Sequence, residues 1–496
     1  MLGNFQSPNH TRKSANKIAS FLKGIVEVRD DEVDTLLKGF AGLFCVLGSY
    51  FLLLPIRDEA GVSLGTKQLP FLFVGSFVLT VIVTPLVSQF LVRPGVTPDK
   101  AVHQLYWLLA LSLLGFYIAY QATPTHAEPH SHGQQERAFN KSLQERSVRS
   151  GDSSLSTAQR FVRVAFFLWV SVVNLVGLST MWARMADVFG SEAGTRLFGF
   201  LGAGATCGQL VGSLLATAWA SALRSRGSSG QIAAPMLVSA AALEIAGRIA
   251  SRLRRLSPVL PSPSKSRSPL GQSRQGQGLG AQLWHSFARL WEGFQHIAAS
   301  AYLAHLSAYT VFTTVIASLM YFEKSMVVAS AAGDAASRMA LFGSINSASA
   351  FVIAVLQLAA TGRLLKRLGL ATALTVSPAF AAALMLGIAV SPTPLVVAAG
   401  EVLRKVVGYA LARPAREVLF TVVPREEMYK AKICIDTLVV RGGDMLAAGL
   451  FHFLDSQYHL GPSGCAAAAF PICLGCCALA YTLGRKQEWL ARPQHM

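Results

Sequence analysis

The chain has 496 residues, of which 52% are hydrophobic and only 14% are charged. This composition is too apolar for one or two ordinary soluble domains. The net charge of +18 does not indicate a nucleic-acid partner, because the basic residues lie mainly in loops and lack the interleaved aromatic residues of a nucleic-acid-binding face. A spanning helix needs roughly 20 apolar residues, and the composition therefore predicts an all-α membrane protein.

Apolar runs bounded by charged residues, glycine or proline predict twelve spans in two groups of six. The runs lie at about 36–56, 69–92, 102–121, 161–189, 197–222 and 232–250, and then at about 300–322, 339–361, 370–391, 394–420, 431–454 and 463–483. The pattern predicts two pseudo-symmetric six-helix bundles, residues 36–250 and 300–485. A cytosolic N-terminal segment (1–35) precedes them and a short tail (486–496) follows.

Two polar stretches interrupt this pattern. Residues 122–158, rich in Ser, Gln and His, predict a disordered insertion in the first bundle. Its histidines could bind a metal, but a solvated loop is the favoured interpretation. Residues 251–299 predict a flexible linker rich in Pro, Ser, Gly and Arg, followed by an amphipathic helix at the membrane surface.

Lys and Arg residues are more frequent on the side of the membrane that holds both termini. This bias predicts that both termini are cytosolic. The sequence leaves the membrane itself open, with the plastid envelope and the plasma membrane among the possibilities. We expect a monomer surrounded by membrane lipid.

Charged residues inside spans cost about 2.5–3.5 kcal/mol each at a helix centre, so their retention needs a reason. Arg441 lies about 16 Å along its span from Lys430, near the bilayer middle, and Asp444 follows one turn later. Glu401 and Arg404 lie well inside the tenth span. These four residues belong to the predicted substrate site, to which the family resemblance described below adds Arg57 and Asp58 after the first-span proline.

Most charges in the spans form opposite-sign pairs three or four residues apart, which can neutralise each other. The predicted pairs are Arg184–Asp187, Glu401–Arg404, Arg413–Glu417, Lys432–Asp436 and Arg441–Asp444. The alternative to a substrate site is therefore an ion-pair network that holds the halves together or switches with conformation. Its predicted members are Arg184, Asp187, Arg196, Arg413, Arg416, Glu417, Lys430, Lys432 and Asp436.

The segment Pro55-Ile56-Arg57-Asp58-Glu59 ends the first apolar run. The proline could open the helix so that backbone groups line a cavity. An ordinary helix end at the water interface explains the same residues and is the favoured interpretation.

Other motifs predict structure rather than chemistry. The seven cysteines lie mostly in apolar segments, and Cys473-x-x-Cys476-Cys477 lacks a second ligand pair, so we expect neither a metal site nor a cofactor. Glycines recur through the fifth span from Gly199 to Gly212, which predicts close helix packing. We find no catalytic arrangement in the spans and expect no enzyme.

Four stretches are similar to the non-mitochondrial ATP/ADP translocase-like transporters of the major facilitator superfamily, particularly their bacterial relatives of uncertain substrate. They are LLLPIRDE (52–59), MADVFGSEAGTRLFGFLGAGATCGQLVG (185–212), TGRLLKRLGL (361–370) and ARPAREVLFTVVPREEMYKAKICIDTLVVRGGD (412–444). The resemblance implies a twelve-helix facilitator fold, alternating access and exchange of nucleotides. It also implies a substrate role for Arg57, which stands where classical exchangers usually have lysine.

These observations favour a secondary transporter of an anionic solute, with ATP/ADP exchange as the version that the resemblance implies. Arg57, Arg404 and Arg441 would bind the anion, and Glu401 or Asp444 would carry a proton if transport is a symport. Two alternatives remain: a facilitator-type carrier of another small solute, and a non-transporting membrane scaffold or receptor.

Overall fold

A computed structural model describes residues 28–91, 93, 95–123, 155–226, 231–253, 291–359 and 367–491, and within these ranges every regular element is helical. Most of the N-terminal segment, of the 122–158 insertion and of the 251–299 linker lies outside the described residues, as does the tail from residue 492 onward. Helical residues 291–299, which belong to the predicted amphipathic helix, lie directly before the second bundle.

Six helices form the first bundle. They are α1 (Val33–Ser63), α2 (Leu69–Leu91), α3 (Pro98–Ala122), α4 (Thr157–Phe189), α5 (Arg196–Ser225) and α6 (Pro235–Arg252). A 3₁₀ turn, Thr66–Gln68, joins α1 to α2, and helical geometry is continuous from Thr157 to Ser225.

Although helical geometry links α4 and α5, these two helices run in opposite directions along α1. Near the start of α1, Gly39 faces both Met185 of α4 and Leu201 of α5. Further along α1 the neighbours come from earlier in α4, at Met181 and Gly177, and from later in α5, at Gly208 and Gly212. The chain therefore reverses between Phe189 and Arg196, as the two separate apolar runs predict.

The second bundle also has six helices, two of which contain a π-helical turn. They are α7 (Ala301–Ala331), α8 (Ala335–Ala359), α9 (Leu370–Val390), α10 (Pro394–Val407, π turn Gly408–Ala412, Arg413–Leu419), α11 (Arg425–Cys434, π turn Ile435–Val439, Val440–Tyr458) and α12 (Pro462–Leu490). A π turn holds one residue more than an α-helical turn and is frequent at functional sites.

Within the described ranges, nine helices are long and apolar enough to cross a membrane. The three that are not, α6, α10 and α11, each carry three or more charged residues. Because α10 and α11 also carry most of the predicted site, the spans with the weakest apolar signal are the ones of greatest functional interest.

Each bundle has its own hydrophobic core. Buried side chains of the first core include Leu43, Tyr106 and Phe166, and those of the second include Phe322 and Phe451. Helices of the second core also supply Cys465, Cys473 and Cys476, all of them buried. These cysteines lie among apolar side chains, as the sequence predicts.

Helices α1 and α5 make an unusually close contact through glycine. A Cβ added at Gly204, Gly208 or Gly212 would lie 2.6, 2.2 or 2.3 Å from the carbonyl oxygen of Phe40, Phe44 or Gly48, respectively. No L side chain fits at such distances. The predicted packing role of these glycines is confirmed, and the contact brings the two backbones together as small residues do in membrane helices.

Candidate substrate site between the two bundles

Helix α1 does not end where its apolar run ends. It continues through Pro55 to Ser63, and the side chains of Asp58 and Glu59 are only about 1–2% exposed. The favoured interpretation of Arg57-Asp58-Glu59 as a helix end in water is therefore wrong. These charges are buried because they face partners on the other bundle.

Asp58 is the centre of one such contact. One carboxylate oxygen accepts a hydrogen bond from Tyr321 Oη of α7 at 3.0 Å and lies 3.5 Å from Arg57 Nε. The other oxygen lies 3.8 Å from Lys324 Nζ, also of α7. The first bundle thus supplies a carboxylate to a cation and a hydroxyl of the second.

Glu59 makes the neighbouring contact. Its carboxylate lies 3.0 Å from Arg338 of α8, whose guanidinium also donates to the backbone carbonyls of Ala332 and Gly333. Arg338 therefore ties the end of α1 to the turn between α7 and α8. The contact joins the two bundles at the face where α1 and α7 end.

The predicted pair in α10 is confirmed. Arg404 binds Glu401 with two hydrogen bonds of 2.8 and 2.9 Å. Lys405 lies 3.5 Å from the same carboxylate and donates to Asn346 Oδ1 of α8 at 2.7 Å. The Glu401 carboxylate is buried beneath two cations.

The predicted pair in α11 is confirmed as well. Arg441 Nη1 lies 3.2 Å from Asp444, which also accepts a 2.7 Å hydrogen bond from Ser318 of α7. The Arg441 side chain is 28% exposed and that of Asp444 is 14% exposed. The cation is thus more open than the carboxylate that holds it.

Electrostatic contacts bring these separate pairs into one group. Lys324 interacts with Asp58 and also with the charges of α10. Asp444 interacts with Arg57 across the bundle boundary. All six predicted substrate-site residues lie in this group, which we term the inter-bundle cluster. It comprises Arg57, Asp58, Lys324, Glu401, Arg404, Lys405, Arg441 and Asp444.

Aromatic rings line the cluster. The Arg57 guanidinium lies 4.5 Å from the centre of the Phe167 ring and 5.7 Å from that of Tyr321. Tyr50, two turns before Arg57 on α1, interacts electrostatically with both Arg57 and Arg441. The site therefore combines flat apolar surfaces with positive charge.

Part of the predicted ion-pair network lies in the first bundle, away from this cluster. Arg184 pairs with Asp187 at 3.0 Å, as predicted, and also with Asp99 at 2.5 Å. Arg196 lies 3.0 Å from Glu32, just before α1. Burial alone would raise the pKa of Glu32, but hydrogen bonds from the Arg29 backbone and the Arg196 guanidinium hold it below its ordinary value. A cleft of about 990 Å³ opens beside Arg184 at the face where α1 begins.

Two predicted pairs in the second bundle are wrong. Glu417 pairs with Lys432 and, at 3.7 Å, with Arg416. Asp436 pairs with Arg416 at 2.9 Å, not with Lys432. The π turn that contains Asp436 breaks the spacing of four residues on which the Lys432–Asp436 prediction depends.

Arg413 does not pair with Glu417. Its guanidinium lies 4.7 Å from the centre of the Tyr409 ring, one turn towards the N-terminus, because helical side chains point in that direction. The observed pairs join α10 to α11 within one bundle. The Lys430 side chain lies outside the described part of the structure.

Sequence reasoning missed Lys324, Arg338, Asn346 and Ser318. The seventh apolar run is predicted to end at 322, directly before Glu323-Lys324, whereas α7 continues to Ala331. A signal was present, because Arg57 is the 25th residue of α1 and Lys324 is the 24th residue of α7. Charges at matching places in the two halves indicate a shared site.

Comparison with solved structures shows the same fold in transporters. Over 93% of this chain and 100% of the other, the structure is similar to a mutant of the nucleoside transporter NupG, with a TM-score of 0.54 and 11% identity. It is similar to an auto-inhibited peptide transporter of the POT family (TM-score 0.54, 14% identity, 93% and 98% covered). It is also similar to the human organic anion transporter MFSD10 (TM-score 0.51, 14% identity, 91% and 100% covered).

No protein-family model matches the sequence, and comparison with curated proteins gives no match. The structural similarity confirms the predicted fold class: the chain is an all-α membrane protein with the major facilitator-type fold, and its described helices form two pseudo-symmetric bundles of six. At these identities the similarity concerns the fold alone.

Proposed function

We propose that this protein is a secondary transporter of an organic anion. The observation that carries the proposal is the charge of the inter-bundle cluster: among the described side chains it holds five basic residues and three carboxylates, an excess of two positive charges. The cluster draws on α1 from one bundle and on α7, α10 and α11 from the other, so reorientation of the bundles would change its surroundings.

The carboxylates of the cluster already have cationic partners. Glu401 is held by Arg404 and Lys405, Asp444 by Arg441, and Asp58 by Lys324 and Arg57. Buried positive charge beyond that balance is costly unless an anion offsets it. The planar guanidinium fork of arginine suits carboxylate and phosphate groups, which are therefore the expected anionic groups of the solute.

A nucleotide, moved by ATP/ADP exchange, is the finer form of the proposal. The half-buried rings of Tyr50 and Tyr321 offer stacking surfaces beside the arginines, and a nucleotide has both a flat base and phosphates. The resemblance to ATP/ADP translocase-like transporters supports this solute. Other organic anions remain the broader class.

The contacts between bundles support transport by alternating access. Besides Glu59–Arg338, the ring of Phe71 on α2 contacts His452 on α11, and Thr217 of α5 is hydrogen-bonded to Ser347 of α8 at 3.1 Å. The first two of these contacts, Glu59–Arg338 and Phe71–His452, lie towards the face where α1 and α7 end. We propose that they close this face and break when the bundles rock, which exposes the inter-bundle cluster to that side.

The test is counterflow in proteoliposomes. Purified protein is reconstituted with unlabelled ADP inside, and uptake of labelled ADP, ATP, other organic anions and inorganic phosphate is measured. We expect saturable uptake that falls at least about tenfold in Arg441→Gln, because a hydrogen bond to a charged group contributes about 1.5–3 kcal/mol. The control is Arg485→Gln, whose side chain is 60% exposed near the end of α12.

Three outcomes separate the levels of the proposal. Absence of saturable wild-type uptake for every solute contradicts transport of an organic anion. Uptake of other organic anions without nucleotides contradicts only the nucleotide form. Equal uptake by the Arg441→Gln and Arg485→Gln variants contradicts the location of the site.

A further inference from the structure

Glu323 of α7 is a buried carboxylate that the inter-bundle cluster does not include. It is 1% exposed, and its Oε2 has no hydrogen-bond partner among the described residues. The next residue, Lys324, turns towards α1 and Asp58. Consecutive side chains on a helix differ in direction by about 100°, so Glu323 points into its own bundle.

Among the described residues, the groups that face Glu323 carry no positive charge. Asp455 of α11, which is half-buried, and Cys465 of α12 interact with it electrostatically. The Cys465 thiol donates a hydrogen bond to the Leu460 carbonyl. The neighbouring acid is thus a second carboxylate, and among the described residues no cation pairs with Glu323.

This setting favours a bound proton. An ionised carboxylate buried without a cation is costly, and a second carboxylate nearby adds repulsion. Asp58, Glu401 and Asp444 differ, because each has an Arg or Lys partner. Glu323 is therefore suited to take up and release a proton, a role for which sequence reasoning considers only Glu401 and Asp444.

We infer that Glu323 binds one transported proton beside Asp455, which makes the proposed anion carrier proton-coupled. The inference rests on the proposed function. Asp455 lies near the end of α11, on the side that the proposed function closes. Glu323 follows it inward and is adjacent along α7 to Lys324, whose contact with Asp58 joins the bundles. Protonation of Glu323 is thereby linked to the contact that must break during reorientation.

The first test needs no substrate. The infrared spectrum of the purified wild-type protein should show the carbonyl stretch of a protonated carboxylic acid that disappears as the pH is raised. We expect this band to be absent from Glu323→Gln and retained in Glu292→Gln, which removes an exposed carboxylate. An unchanged band in Glu323→Gln, or no such band in the wild type, overturns the inference.

A second variant keeps this test valid if Glu323→Gln does not fold. In Asp455→Asn one repelling charge is removed, and the band should disappear at a lower pH than in the wild type. A titration identical to that of the wild type overturns the placement of the proton beside Asp455.

The transport arm separates this inference from the proposed function. The probe is ADP or, if ADP gives no counterflow, an organic anion of the panel that does. An inward proton gradient should drive accumulation of the probe by the wild type. In Glu323→Gln this accumulation should be at least about tenfold lower, whereas counterflow without a gradient should be kept. Wild-type counterflow without any gradient-driven accumulation, or full accumulation in Glu323→Gln, overturns the inference alone. Lack of wild-type counterflow for the whole panel overturns the proposed function, and the inference with it.

Discussion

The α1–α5 contact of the first bundle and the α7–α11 contact of the second occupy corresponding places in the two halves, yet they are built differently. Three glycines of α5 lie against backbone carbonyls of α1. In the second bundle Gly443 approaches Thr314 of α7, while Ser318 binds the Asp444 carboxylate. The first contact is made by backbones, whereas the second adds charged and polar side chains to the approach of Gly443 to the Val311 carbonyl.

This difference indicates a division of labour. The α1–α5 contact leaves no space for side chains and makes the first bundle a rigid wall. The α7–α11 contact includes a π turn and polar groups that position Arg441. The fold is therefore pseudo-symmetric but the inter-bundle cluster is not. Helix α1 contributes two of its charges and the second bundle contributes six.

The largest effect is expected from filling the α1–α5 contact. Gly208→Val places side-chain atoms where the Phe44 carbonyl oxygen already lies, and neither backbone can move without separating the two helices. We expect loss of folded, monodisperse protein in size-exclusion chromatography. Gly202→Ala is the control, because no atom of the described neighbours lies within 4 Å of the added Cβ. It should change the stability by no more than about 1 kcal/mol. Normal folding of Gly208→Val contradicts the proposed rigidity.

The second-largest loss of stability is expected from Glu401→Gln in the second bundle. The change leaves Arg404 and Lys405 without their carboxylate, and loss of one partner of a buried ion pair costs about 3–5 kcal/mol. Denaturation of the detergent-solubilised protein measures the cost. The exposed pair of Lys38 with Asp34 serves as the control, since Lys38→Gln should cost less than about 1 kcal/mol.

Removal of Arg404 as well should restore part of the stability that Glu401→Gln loses, because one uncompensated cation disappears. If the variant that lacks both side chains is less stable than Glu401→Gln, Arg404 contributes to stability mainly through packing. Charge compensation between Glu401 and Arg404 would then not be the main effect.

The smallest effect is expected from Ser318→Ala, which removes the hydrogen bond to Asp444. A hydrogen bond to a charged group contributes about 1.5–3 kcal/mol to stability, and the thermal midpoint should fall accordingly. Ser344→Ala removes only an exposed hydrogen bond to its own helix and should have almost no effect. Equal midpoints for the two variants would show that α7 and α11 are held by packing alone.

Hydropathy was sufficient to predict the helices, because a spanning helix must be apolar over most of its length. It failed at the ends of α1 and α7. The apolar runs stop at 56 and 322, directly before charged residues that the helices nevertheless include. The partners that make these charges tolerable are far away in sequence, as Glu59 and Arg338 show.

In the candidate site, too, contacts within one helix could be predicted and contacts between helices could not. Pairs three residues apart on an uninterrupted helix, such as Glu401–Arg404, could be predicted because helical geometry alone brings them together. The contact of Arg416 with Asp436 could not, because it joins two helices and one partner lies in a π turn. Ser318 has no sequence signal at all, since an isolated serine in an apolar run is unremarkable until its acceptor is known.

The π turns in α10 and α11 each hold one residue more than the α-helical turn that they replace. Deleting one residue from Gly408–Ala412 would therefore leave a regular α-helix in which Glu401 and Arg416 keep nearly the same angular relation. If the segment instead kept all five residues and became α-helical, the turn that carries Glu401 would rotate by about 100° relative to Arg416, and the same side chains would point to different neighbours. In this protein the conformation of a five-residue segment, independently of its composition, sets which charges meet.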